Sequence, residues 1–113
     1  MSCVRVTVNA GICGFVTEIT AASDDEQHVR FTIVSACAHQ QALAASLPPM
    51  VDAYAEIGAG YDGVLWQAVR QSLRGCCSGC VTPPAIFKAM QVAGGVALPC
   101  DSAIRFEPVE EDA

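Results

Sequence analysis

Three cysteines, Cys76, Cys77 and Cys80, stand directly ahead of Val81-Thr82-Pro83-Pro84-Ala85-Ile86-Phe87-Lys88-Ala89-Met90, a stretch with the signs of a helix start. The pair Cys77-x-x-Cys80 is spaced so that two thiolates can share one metal ion or close a strained, reducible disulfide. Four thiolates suit zinc or an iron-sulfur cluster. The expected metal ligands are Cys13, Cys37, Cys77 and Cys80, with Cys76 as an alternate to Cys77. His39, two residues past Cys37, is an alternate for a thiolate. Arg70, Arg74 and Lys88 are candidate cations beside these sulfurs. Cys3 and Cys100 fall outside the set, and Cys3 reads as packing or exposed. With only 2 histidines and no Ser-His-Asp order, phosphate loop or paired-carboxylate motif, hydrolytic catalysis is not expected. A Cys-His39 nucleophile pair stays open.

Composition narrows the setting. The 113 residues, 52% hydrophobic and 16% charged, are expected to form one domain over 1–113, with an acidic tail at 108–113. A formal charge of -6 and scarce Lys and Arg argue against nucleic acid as a partner. No apolar run approaches a membrane span and no charged start precedes an apolar segment, so no membrane partner is expected and the cytoplasm is the expected location. In a reducing compartment 7 cysteines are not a disulfide framework, and the odd count leaves one over.

The elements that must position the thiols follow from periodicity. Val4, Val6 and Val8 alternate with polar residues, as do Phe15 to Ala22 and His28 to Ser35, giving three strands joined by turns in an antiparallel meander. Cys13 lies in the first turn and Cys37 just past the third strand, at the same end of the sheet. Arg5, Thr7, Glu18, Thr20, Arg30 and Thr32 form one wet face, so helices cover the other. The Ala-rich run 38–47 predicts a helix stopped by Pro48-Pro49, residues 50–57 predict a further helical turn or two, and 58–63 read as a flexible link. Residues 64–74 predict an amphipathic helix, with Trp66 a core anchor. Thr82 is the expected cap of the next helix, whose buried side is Ile86, Met90 and Ala93 and which Gly94-Gly95 end. Alternation at 103–107 predicts a fourth strand burying Ile104 and Phe106. The expected fold class is α+β, a two-layer sandwich whose four-stranded, mainly antiparallel (mixed) sheet carries helices on one face. For the Cys80 helix to start at the end holding Cys13 and Cys37, strand four must run parallel to strands one and three.

Through Asn9-Ala10-Gly11-Ile12-Cys13-Gly14-Phe15-Val16-Thr17, the step Ser35-Ala36-Cys37, and Cys80-Val81-Thr82-Pro83-Pro84-Ala85-Ile86-Phe87-Lys88-Ala89 running into Ala97-Leu98-Pro99, the chain resembles a family of short uncharacterised cysteine-containing proteins, a domain of unknown function. That resemblance implies the fold and supports Cys13, Cys37, Cys77 or Cys76, and Cys80, without adding a reaction. The strand-Cys-helix unit and the Cys-x-x-Cys ahead of a helix are also similar to the TSCPD domain and to the Nfu-type iron-sulfur scaffold, which implies metal handling. Here Ser-Ala precedes Cys37 and Val81 follows Cys80.

The leading expectation is a small cytoplasmic protein binding a transition metal or iron-sulfur cluster through thiolates, serving electron transfer, cluster or metal delivery, or a protein partner. The rival expectations are a thiol-disulfide redox protein using Cys77 and Cys80, and a structural or interaction module with inert cysteines.

Overall fold

The computed structural model describes residues 2–76 and 78–110; Cys77 and the tail residues 111–113 lie outside the described residues. The three expected strands are β1 (Ser2–Asn9), β2 (Val16–Ser23) and β3 (His28–Ser35), paired antiparallel in order. Facing rows such as Val6, Ile19 and Ile33 show why the register holds, since a one-residue slip would turn each apolar row out to water. Helix α1 (Ala38–Ser46) follows β3 and stops ahead of Pro48 and Pro49. Helix α2 (Ala53–Ala59), a 3-10 turn at Gly60–Asp62, α3 (Val64–Ser72) and α4 (Thr82–Ala93) are the further helical elements of the described residues.

Helix α4 packs across β1 and β2, and α1 packs along β3 and against α3. They cover the face bearing Val8, Ile19, Ala21 and Val29, all buried, with Leu43, Leu65, Ile86 and Met90 completing the core from the helices. Burying each of the larger of these side chains contributes about 1.5 to 3 kcal/mol. On the opposite face Arg5, Thr7, Glu18 and Thr32 are exposed, as alternation requires. The α+β class and the one-sided helical layer are therefore as the sequence implies.

The fourth strand differs. It is β4 (Val51–Asp52), pairing antiparallel with β3 through Val29 and Val51, so every pairing in the sheet is antiparallel and no mixed edge forms. Residues 103–107 are not a strand. Residues 95–110 are all exposed, Ile104 at 69% and Phe106 at 93%, and they form an arm on a molecule measuring 56 × 29 × 25 Å. Alternation shows that a segment can be a strand, but a strand also needs a pairing partner, and this arm leaves α4 without pairing to any strand of the sheet. Phe15, where the second alternating segment begins, is 39% exposed beyond the paired end of β2.

The stretch 58–63 is not a free link. Glu56, only 4% exposed, turns its carboxyl group onto the first turn of α3, accepting from Val64 N–H (Oε2, 3.1 Å) and Leu65 N–H (Oε1, 2.6 Å). These are N–H groups that no residue within α3 can satisfy. A Cβ on Gly63 would stand 2.9 Å from that carboxyl's Oε2, so the approach requires glycine.

Candidate functional site

The end of the sheet where β1 finishes, β2 begins and β3 finishes carries Cys13 and Cys37. Cys13 is exposed in the turn after β1, which Asn9 closes by accepting from Gly11 N–H (3.0 Å) and Gly14 N–H closes on Gly11 C=O (2.9 Å). Cys37 precedes α1 as its N-cap with extended backbone. Its N–H donates to Ser35 Oγ (3.1 Å), which also takes the hydroxyl of buried Thr17 (2.9 Å). Cys37 is half-buried.

Cys80 comes to this end by another route than the expected one. No parallel strand steers α4; instead α4 crosses β1 and β2, and Cys80, just ahead of it, comes within reach of α1. Gln40, one helical turn after Cys37, directs Nε2 to Cys80 Sγ at 3.5 Å. Gln40 is 2% exposed and its Oε1 has no hydrogen-bond partner among the described residues. A buried, half-used amide costs stability, about 1 to 3 kcal/mol for the unsatisfied atom. Its two ends suit two states of one sulfur: Nε2 donates to a thiolate, and Oε1, after a half-turn of the amide, accepts from a thiol. No motif flags Gln40. The only sequence signal is a polar residue one turn past Cys37 in an Ala-rich helix.

Cys76 is half-buried, with its N–H donating to Leu73 C=O at 2.9 Å, which closes the turn after α3. Cys77 lies outside the described residues, and Cys3 and Cys100 are exposed. His39 faces α3, its Nδ1 3.4 Å from Ser72 C=O. Among the described residues no three His, Cys, Asp or Glu side chains gather closely enough to hold a metal ion. Cys13, Cys37 and Cys80 thus share an end of the fold without converging on one point.

Two of the three expected cations, Arg70 and Lys88, sit elsewhere. Arg70 donates to Tyr61 C=O, and Lys88 borders an apolar groove of about 300 Å³ walled by Ile57, Tyr61, Trp66 and Phe87. Trp66 meets Tyr61 edge-on at 5.4 Å between ring centroids and Phe87 at 6.4 Å, and is partly buried against the core. Thr82, expected as a cap, is instead a buried residue inside α4, with Val81 at the N-cap and no side-chain bond there. The prolines at 83 and 84 carry no N–H, so two of the groups a cap would satisfy are absent.

No described helix is long and apolar enough to cross a membrane. Comparison with curated proteins and with solved structures returns no match. A family model described as a family of unknown function (DUF6951) matches residues 4–106, from the first strand through Phe106 of the arm, and the chain belongs to that family.

Proposed function

We propose that this is a thiol-disulfide redox protein working through Cys77 and Cys80, with Gln40 as the fixed polar partner of Cys80. The observation that carries the reading is the buried Gln40 amide set against the half-buried Cys80 sulfur, with one amide atom left unused. An inert core cysteine has no need of such a partner. In the reaction, one thiolate of the pair attacks a sulfur of a partner protein's disulfide, forming a mixed disulfide and releasing one partner thiolate. The second thiolate then attacks the mixed disulfide, leaving a Cys77–Cys80 disulfide and the second partner thiolate. Two electrons pass to the partner, and the two protons lost by the pair end on its thiols, directly or through water. A cytoplasmic setting, with its dithiol reductants, resets the pair.

Metal binding through Cys13, Cys37, Cys77 and Cys80 uses the same Cys80 but needs ligands that the described residues do not bring together. One experiment separates the two readings. The anaerobically purified protein is equilibrated in glutathione redox buffers, trapped by alkylation and mapped by mass spectrometry, with metal content measured alongside. The expected result is a Cys77–Cys80 disulfide that forms and reverses, is lost in Cys80→Ser and persists in Cys37→Ser. Stoichiometric zinc or iron that disappears in Cys13→Ser and Cys37→Ser overturns the redox reading in favour of the metal. Thiols at 77 and 80 that alkylate as in the unfolded chain, with no metal, leave inert cysteines.

A further inference from the structure

Strand β1 is an open sheet edge. Over Ser2–Asn9 it pairs only with β2, and its other side has no partner among the described residues. The opposite edge is managed differently: β4 covers the start of β3 with two residues, and Pro48, Pro49 and Leu47 crowd beside Phe31 and Ile33. Among the described residues nothing comparable shields β1, whose Val4 and Val6 face the helical layer yet are only partly buried. An eight-residue edge without proline or bulge is a template for another strand.

The arm has the complementary pattern. Between Pro99 and Pro108, Ile104 and Phe106 alternate with Ala103, Arg105 and Glu107, and all are exposed. Gly95 and Val96 N–H bond back to α4, at Val92 and Gln91 C=O, and beyond them the bond from Cys100 Sγ to Asp101 C=O stays within the arm. The family match runs through Phe106, so this segment belongs to the family's unit rather than to an appended tail. The arm departs from α4 at Gly95, where a Cβ would overlap the Glu26 carboxylate, and Glu26 lies in the β2–β3 turn at the end where β1 starts. From there the direct course for a chain's own arm runs parallel to its own β1, in a sheet that is otherwise antiparallel throughout.

We propose that residues 103–107 of a second copy of this chain add as an antiparallel strand to the β1 edge, and that reciprocal exchange of arms closes a two-fold dimer. Placing Glu107 opposite Arg5 sets Phe106 beside Val6, Arg105 beside Thr7 and Ile104 beside Val8. Both large apolar side chains then extend the face that α4 covers, and completing it buries the exposed parts of Val4 and Val6. On the wet face Glu107 meets Arg5, and Arg105 lies in the row of Thr7 and Glu18, so opposite charges are neighbours across strands. Pro108 ends the pairing, since it has no N–H to give.

The test is sedimentation of the full chain under reductant, which removes disulfide-linked dimers, with hydrogen exchange at 103–107. Wild type is expected to dimerise with the arm protected. Phe106→Asp, a change at a residue exposed in the single chain, is expected to raise the dimer Kd by roughly ten- to a hundredfold. Arg5→Glu is expected to weaken the dimer, and adding Glu107→Arg to restore it. A monomer with a fast-exchanging arm overturns the proposal. So does a monomer with a protected arm, which would place the segment on its own chain, and so does a dimer indifferent to Phe106→Asp, which would place the contact elsewhere.

Discussion

Two buried polar side chains, Glu56 and Gln40, are used in opposite ways. Glu56 spends both carboxyl oxygens on the N–H groups that open α3, and a glycine makes room for it. Gln40 spends its Nε2 on one sulfur and leaves Oε1 without a partner. A saturated buried group fixes geometry, whereas a half-satisfied one costs stability where it stands and calls for an explanation other than stability. The corner between α2 and α3 is accordingly scaffold, and on the proposed redox reading the junction of α1 with Cys80 is the place for chemistry.

Breaking the scaffold should produce the largest effect. Glu56→Ala strands two N–H groups at a buried helix start and is expected to cost about 2 to 4 kcal/mol in denaturant unfolding. Gly63→Ala displaces the same carboxyl and is expected to cost about 1 to 3 kcal/mol. Because both act on one contact, the double variant should cost clearly less than the sum; full additivity would show that Gly63 serves another purpose. Gln40→Leu sharpens the contrast from the other side. Removing an unsatisfied buried atom should change stability by no more than about 1 kcal/mol, while the alkylation rate of Cys80 changes. A large loss of stability with an unaltered sulfur would make Gln40 a second piece of scaffold.

The smallest effect belongs to the exposed β2–β3 turn. Asp25 accepts from His28 Nδ1 (2.7 Å), His28 N–H (2.8 Å) and Gln27 N–H (3.0 Å). These bonds, led by the His28 side chain, hold its carboxyl well below the usual 3.8. The Asp25 side chain in turn raises His28 above the usual 6.5, with the charges of Asp25 and Asp52 adding to it. The lowered acid stabilises the fold above 3.8, and that contribution fades as pH falls through the folded value. The raised His28 stabilises it below 6.5, fading as pH rises through its folded value. Asp25→Asn should therefore lower Tm slightly, most between about pH 4 and 6.5 and less on either side. An equal deficit at all pH values would assign the loss to turn geometry alone.

Periodicity made the three long strands and the buried side of α4 legible, because each repeats its pattern over enough residues to exclude the other period. It could not reveal β4, whose two residues have no period, nor separate a paired strand from the unpaired arm at Ile104 and Phe106. Cys37 at a helix start was readable from the Ala-rich run behind it. Glu56 and Gln40 were not, since each acquires its role from a partner distant in sequence, Val64 and Leu65 in one case and Cys80 in the other.

The ring contacts of Trp66 have an optical consequence. It is the chain's 1 tryptophan, and it touches Tyr61 of the 3-10 turn and Phe87 of α4 from its own place in α3. Its emission therefore reports the seating of α4 directly, without an added label. Since α4 begins just after the Cys77–Cys80 segment, any displacement of that helix when the sulfurs change state becomes visible as a change in fluorescence.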